Sequence, residues 1–222
     1  MQGYKILMIG PPLAGKGTQC KILSSRMGIP HISSGDILRS EMEKDTELAR
    51  YIKKQLNAGK FVSDSVIRDL INAHINSVEG GFILDGYPRT EEQLDSIDFH
   101  YDRILFLDTP MDYIMERVEG RLCHLSSGRI YHKKYNPPKV PGLDDVTGER
   151  LVKREDDRVE LIKGRILDFI EKTGKVIEKG IKTNKLARID GSQPKDMISQ
   201  MILEEVRKIE PEQHRPNTTQ PK

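Results

Sequence analysis

The segment Gly10-Pro11-Pro12-Leu13-Ala14-Gly15-Lys16-Gly17-Thr18-Gln19 joins a lysine, a hydroxyl and three glycines in one tight stretch. Such a stretch can cradle phosphate. Backbone N–H groups of the turn and of the first helical turn after it converge on one point, where the helix dipole also favours an anion. Lys16 adds a mobile positive charge for terminal phosphates. A second group is Asp85, set at the end of an apolar run where an open α/β sheet presents its ligands. An acid beside a phosphate loop has a metal to serve.

These residues need a strand, a turn and a helix to position them. Lys5–Ile9 reads as the strand, and Ile22, Leu23 and Met27 as the apolar face of the helix, with Gly28 ending it. Further short apolar runs read as buried parallel strands at Gly81–Leu84, Arg103–Leu107 and Leu186–Ile189, with Pro30–Ile32 a weaker fifth. Helical patterns alternate with them. Ser63 can cap one that carries Val66, Ile67, Leu70 and Ile71, and Thr109-Pro110 opens another with proline at its first position. Val159–Ile177 reads as one helix that Gly180 can end, and Met197, Ile198, Met201, Ile202 and Val206 form the face of the last. The alternation predicts an α/β fold with a central parallel sheet flanked by helices.

Two segments interrupt it. Residues 33–62 are polar and helical, and residues 120–157 lose hydrophobic periodicity between Gly128 and Gly148. A long irregular stretch inside a compact domain is usually a lid or a small inserted domain. Residues 210–222, rich in Pro, Gln and Thr, read as a disordered tail.

Composition narrows the function. With 36 Lys and Arg against 34 Asp and Glu, no bulk field draws the chain to nucleic acid or membrane. No run approaches the length of a membrane span, and two cysteines make no disulfide framework. The N-terminus enters the first strand without a cleavable signal, so the cytoplasm is the expected compartment. The mitochondrial intermembrane space is the other location that fits.

Four ordered motifs now carry a resemblance. They are Gly10–Gln19, Ser33-Ser34-Gly35-Asp36-Ile37-Leu38-Arg39, Leu84-Asp85-Gly86-Tyr87-Pro88-Arg89, and Asn136-Pro137-Pro138 followed by residues 144–149. Together they resemble the adenylate kinase family in its long-lid form, from about Lys5 to the final helix. The resemblance implies the P-loop nucleoside monophosphate kinase fold and reversible phosphoryl transfer from MgATP to AMP, giving two ADP. It implies a core (1–32, 63–119 and 158–209), a monophosphate-binding insertion (33–62) and a lid (120–157), in a monomer.

It also implies roles residue by residue. Leu13, Ala14, Gly15, Lys16, Gly17 and Thr18 would wrap the ATP phosphates, and Asp85 would hold water ligands of Mg²⁺. Arg39 and Arg89 resemble the pair that holds the AMP phosphate. Arg121, Arg154 and Arg165 resemble the cluster that clamps the transferring group, the last two reaching AMP as well. Ser34, Lys60, Phe61, Val62, Gly86, Tyr87 and Pro88 match the AMP pocket. Gln93 matches the residue that reads the AMP adenine, and with Thr90 it also fits a capping box. Arg117 resembles the residue packed on the ATP adenine. Ile130, Tyr131, His132 and Gln193 match the ATP site, and Tyr131-His132 and Gln19 point to ATP as donor. GTP:AMP phosphotransfer is the alternative, since Ser33-Ser34 also occurs in that branch. Asp156-Asp157 fits either a lid hinge or an acidic helix start.

Some relatives bind zinc in the lid at positions matching His124, Ser127, Asp144 and Thr147. Only His124 and Asp144 are good ligands here, and structural zinc prefers thiolate and imidazole. A polar cluster without zinc is therefore expected, with Cys123 as a packing residue. Leu13 stands where the family usually has glycine. A left-handed backbone there would strain leucine by ~1–2 kcal/mol. That departure also admits a second alternative, a nucleotide-binding regulator with weakened catalysis.

Overall fold

A computed structural model describes residues 3–58, 60, 62–153 and 159–209. Arg154, Phe61, Asp156, Asp157 and the tail 210–222 lie outside the described residues. Five strands, β1 (Lys5–Ile9), β2 (His31–Ser33), β3 (Phe82–Asp85), β4 (Arg103–Asp108) and β7 (Leu186–Asp190), form one sheet in the order β2-β3-β1-β4-β7. Every pairing in it is parallel, with Leu7 beside Leu84 on one side and Ile104 on the other.

Strand side chains alternate between the faces of this sheet, and both faces are covered. Leu7, Ile9, Leu84, Ile104 and Phe106 enter one buried cluster with Ile67 and Ile71 of α4 (Asp64–Ile75). Ile6, Met8, Ile83, Leu105 and Leu107 enter the other with Leu23 of α1 (Lys16–Met27) and Ile198, Ile202 and Val206 of α9 (Lys195–Arg207). At about 1.5–3 kcal/mol for each fully buried aliphatic side chain, these two layers dominate the stabilisation.

Residues 33–62 supply α2 (Ser34–Met42) and α3 (Glu47–Asn57), started by the Ser33 and Thr46 hydroxyls, which accept from the Asp36 and Ala49 amides. Their apolar residues Ile37, Leu38 and Ile52 join the first cluster. After α5 (Glu91–Asp95) and α6 (Met111–Gly120) comes an antiparallel hairpin of β5 (Arg121–His124) and β6 (Arg129–His132). Ile114 and Val118 of α6 then pack with Ile162 and Ile166 of α7 (Val159–Asp168), and Leu13 lies against them.

Three expected helix ends differ. Pro110 is the N-cap of α6 rather than its first residue, and Ser63 caps α4 without a side-chain hydrogen bond. The stretch after α7 is not one regular helix: Phe169–Thr173 is a π-helical turn, and α8 follows at Gly174–Lys182. Gly180 therefore sits inside α8 instead of ending it. The reason is close packing on β7, since a Cβ there would come within 2.9 Å of the Leu186 Cβ. No helix among the described residues is long and apolar enough to cross a membrane.

Candidate active site

A parallel sheet puts all its carboxyl ends on one edge, and here that edge delivers Gly10 after β1, Ser34 after β2, Asp85 and Gly86 at the end of β3, and Gly191 after β7. An open cleft of about 420 Å³ lies there, lined by Gly10, Lys16, Gly86, Arg89, Arg165 and Thr173 among others. It is the place where such sheets bind their ligands.

The loop from Gly10 to Gly15 makes the turn into α1. Gly15 is the N-cap, with φ 101°, a conformation that a side chain would strain. Lys16 folds back across the loop, and its Nζ donates to the carbonyls of Gly10 at 2.9 Å and Pro11 at 2.8 Å. Loss of hydration is the main cause that brings its pKa down to about 8. Asp85 opposes that fall, while Arg89 and Arg165 add to it. The ammonium is therefore held against loss of hydration, a cost that a bound phosphate would offset.

Arg89 is the second focus. Its Nε donates to the Gly86 carbonyl at 2.8 Å, and Thr173 Oγ1 donates to the main-chain carbonyl of Arg89 at 2.8 Å. Burial, then Arg165, pull its pKa down to about 10, with Arg39 acting in the same direction and Asp85 against it. Arg165 thus acts on both Lys16 and Arg89, and Arg39 acts on Arg89. Arg39 also pairs with Asp36 one turn before it on α2. The hydroxyl of Ser34 is buried with no hydrogen-bond partner, and it faces Gly86. Val62 is buried and Lys60 is exposed beyond α3.

Several neighbours hold the site rather than reach into it. Arg117 donates to the carbonyls of Ala14 at 2.6 Å and Leu13 at 3.3 Å, and to Gly191 at 3.2 Å. It ties the phosphate loop to the turn after β7. In that turn Gln193 donates to Asp190 at 2.7 Å. Gln19 is buried between helices, giving its amide to Lys195 and accepting from Ser199. In this structure it braces α1 on α9. Gln93 is buried too: its Oε1 accepts from the Arg89 amide at 2.7 Å and its Nε2 donates to Asp64 at 2.6 Å. Only half of the expected capping box forms, with Thr90 accepting from the Gln93 amide.

Leu13 has φ 58°, in the left-handed region. The conditional expectation of strain is met, at ~1–2 kcal/mol. Against it stands apolar contact with the α6–α7 cluster. Leu13→Gly removes both and adds chain entropy to the unfolded state, about 0.5–1 kcal/mol. We expect stability to change by less than about 1 kcal/mol in urea denaturation, with a modest change in KM for the donor. A loss above about 2 kcal/mol would show that packing, not strain, governs this position.

The hairpin region carries a second polar assembly. Asp144 accepts from Arg129 at 2.8 and 2.6 Å, from Tyr131 at 2.9 Å, and from the amides of Val146 and Thr147. The Arg129 fork, more than any other contact, holds its carboxyl well below the usual carboxylate range. His124 pairs with Ser127 at 2.7 Å and with Glu149. The four expected residues do come together. Arg129 and Glu149 were missed, although Arg129 stands opposite His124 in the β5–β6 register. Tyr131 points its hydroxyl into this cluster, and His132 stacks on Tyr135 at 4.7 Å between centroids. Cys123 is buried, as expected of a packing residue.

Because the Asp144 carboxylate gathers six hydrogen bonds from β6 and from the turn that follows it, Asp144→Ala should open residues 121–153 to hydrogen exchange while β1, β3 and β4 keep their protection. The folded pKa lies below the unfolded one, so this contribution is present above the unfolded carboxylate value and fades as pH falls. Uniform loss of protection would show the assembly to be part of the global core.

Comparison with known proteins agrees with this arrangement. A family model described as Adenylate kinase matches residues 8–185. An adenylate kinase of Francisella philomiragia subsp. philomiragia is 40% identical over 215 residues, covering 91% of this chain and 100% of the relative. One from Buchnera aphidicola subsp. Cinara cedri is 41% identical over 205 residues, 90% of this chain and 95% of its own. One from Francisella tularensis subsp. novicida is 38% identical over 216 residues, 92% and 99% respectively. Matched by the family model over most of its length and by these relatives over 90% of it or more, the chain belongs to the adenylate kinase family.

Proposed function

We propose that this chain transfers the terminal phosphoryl group of MgATP to AMP, giving two ADP. The observation that carries the reading is the convergence of Lys16, Arg89 and Arg165 on one cleft, coupled through Asp85. In the reaction the bond from the terminal phosphorus to the bridging oxygen of ATP breaks, and a new one forms to a phosphate oxygen of AMP. The acceptor is already an anion and needs no general base. Catalysis is positioning plus neutralisation of charge.

Each group has a part in that. Amides around Gly15–Thr18 and the Lys16 ammonium hold the donor phosphates. Arg39 and Arg89 hold the acceptor phosphate, where planar forks suit a dianion. Arg121, Arg154 and Arg165 gather on the transferring group. Arg117 and the Gln193 turn flank the donor base, with Ile130, Tyr131 and His132 on the lid side. Ser34, Lys60, Phe61, Val62, Gly86, Tyr87, Pro88 and Gln93 form the acceptor pocket. For Gln93 this means that its amide leaves Asp64 or shares it when the base arrives.

Asp85 is a buried carboxylate at the end of β3, next to the cleft-lining Gly86, a hard oxygen donor that fits Mg²⁺. When bound, that ion neutralises donor phosphate charge. The lid holds itself by hydrogen bonds and takes no structural zinc, a reading supported by the saturated Asp144. Residues 33–62 and 120–157 move as acceptor-binding and lid units on the core, and closure excludes water. We also propose a cytoplasmic monomer that binds no nucleic acid, in keeping with its balanced charge.

The test is ADP formation by purified protein with Mg²⁺, crossing ATP and GTP against AMP, CMP and UMP. Turnover with ATP and AMP is expected. Preference for GTP would reassign the donor, and binding without any turnover would favour the regulator.

A further inference from the structure

We infer that Cys20, His31 and Asp85 form a site for a borderline divalent cation, Zn²⁺ or Co²⁺, whose occupancy takes Asp85 out of use. A thiol sulfur, an imidazole nitrogen and a carboxylate oxygen of these residues all lie within 4.8 Å of one another. Among the described residues no other cluster of this composition occurs.

Three rigid elements create it. His31 opens β2 and pairs with Ile83, so it shares a sheet face with Asp85, two residues on in β3. The helix α1 covers that face, and Cys20, one turn after Lys16, is fully buried against it. His31 Nε2 already lies 3.3 Å from Asp85 Oδ2. Only a small rearrangement separates these donors from one coordination shell.

The donor set discriminates between cations. Sulfur and nitrogen suit Zn²⁺ and Co²⁺, whereas Mg²⁺ demands oxygen and keeps its waters. One thiolate and one carboxylate balance a divalent charge, and the thiol proton leaves to solvent. The site therefore does not serve the Mg²⁺ of the proposed reaction. It competes with it, because both need the same carboxylate. That inhibitory consequence rests on the function proposed above; the binding itself does not.

The experiment titrates Co²⁺ into the nucleotide-free full chain and follows thiolate-to-cobalt charge-transfer absorption in the near ultraviolet. Wild type and Cys123→Ala should show the band, and Cys20→Ala should not. His31→Gln should keep a band but bind more weakly by at least the roughly 10–100-fold that loss of a supporting group costs. Circular dichroism confirms that each variant is folded. No band in wild type, or a band that persists in Cys20→Ala, would overturn the site. Zn²⁺ preloading should also slow ADP formation in wild type and spare Cys20→Ala. A full cobalt band with Zn²⁺-insensitive turnover would overturn the inhibitory half alone.

Discussion

Lys16→Met will lower kcat by roughly 10³-fold while the protein stays folded. The lysine gives the structure little that methionine cannot. Its two hydrogen bonds go to loop carbonyls, and they are made by a cation that burial, Arg89 and Arg165 disfavour and Asp85 favours. The transition state, in contrast, loses the one lysine that lines the cleft among the described residues. Circular dichroism and a melting curve should therefore match wild type while ADP formation collapses. Retained turnover would sink the assigned role.

The same lysine sets a pH signature. Its folded pKa of about 8 lies below the unfolded lysine value. Charged Lys16 thus opposes folding; that opposition is full below about pH 8 and fades as pH rises toward the unfolded value. Bound phosphate restores the charge, so nucleotide binding near pH 8 should take up protons. Calorimetry in buffers of different ionisation enthalpy reads this directly. In Lys16→Met the uptake should vanish.

Much of this arrangement is legible in the residues themselves. Lys5–Ile9 is a strand at the predicted bounds because four of its five residues are buried, and continuous apolar runs mark parallel strands. The phosphate loop is legible for the opposite reason: its glycines have no other use in that spacing. What escaped depends on contacts distant in sequence. Nothing local says that His31 meets Asp85, 54 residues on, or that Gln19 is occupied by Ser199. Thr173 escaped because a π-helical turn shifts the helical register, which periodicity assumes to be constant. Leu13 shows a third limit. Its residue type argues against a left-handed backbone, and the loop imposes one regardless.

Arg89→Met should cost about 10²–10³-fold in kcat/KM for the acceptor, the range for removing one member of a desolvated charge contact. Stability should move the other way or not at all. Burial, Arg165 and Arg39 disfavour the charge on Arg89 in the free protein while Asp85 favours it, so removing the charge relaxes repulsion from the two arginines and gives up the attraction of Asp85. The hydrogen bond to Gly86 is worth about 1 kcal/mol, and its loss works against that gain. Arg89→Lys separates charge from shape. It keeps the cation but not the planar fork, and should recover only part of the acceptor affinity. A Michaelis analysis with a melting curve for each variant decides the matter. If Arg89→Met melts far below wild type, the side chain is a brace on the Gly86 carbonyl and the cleft loses its acceptor anchor. If it melts at or above wild type with acceptor binding gone, the fold keeps the Arg89 charge against burial and two neighbouring arginines for the sake of a phosphate ligand.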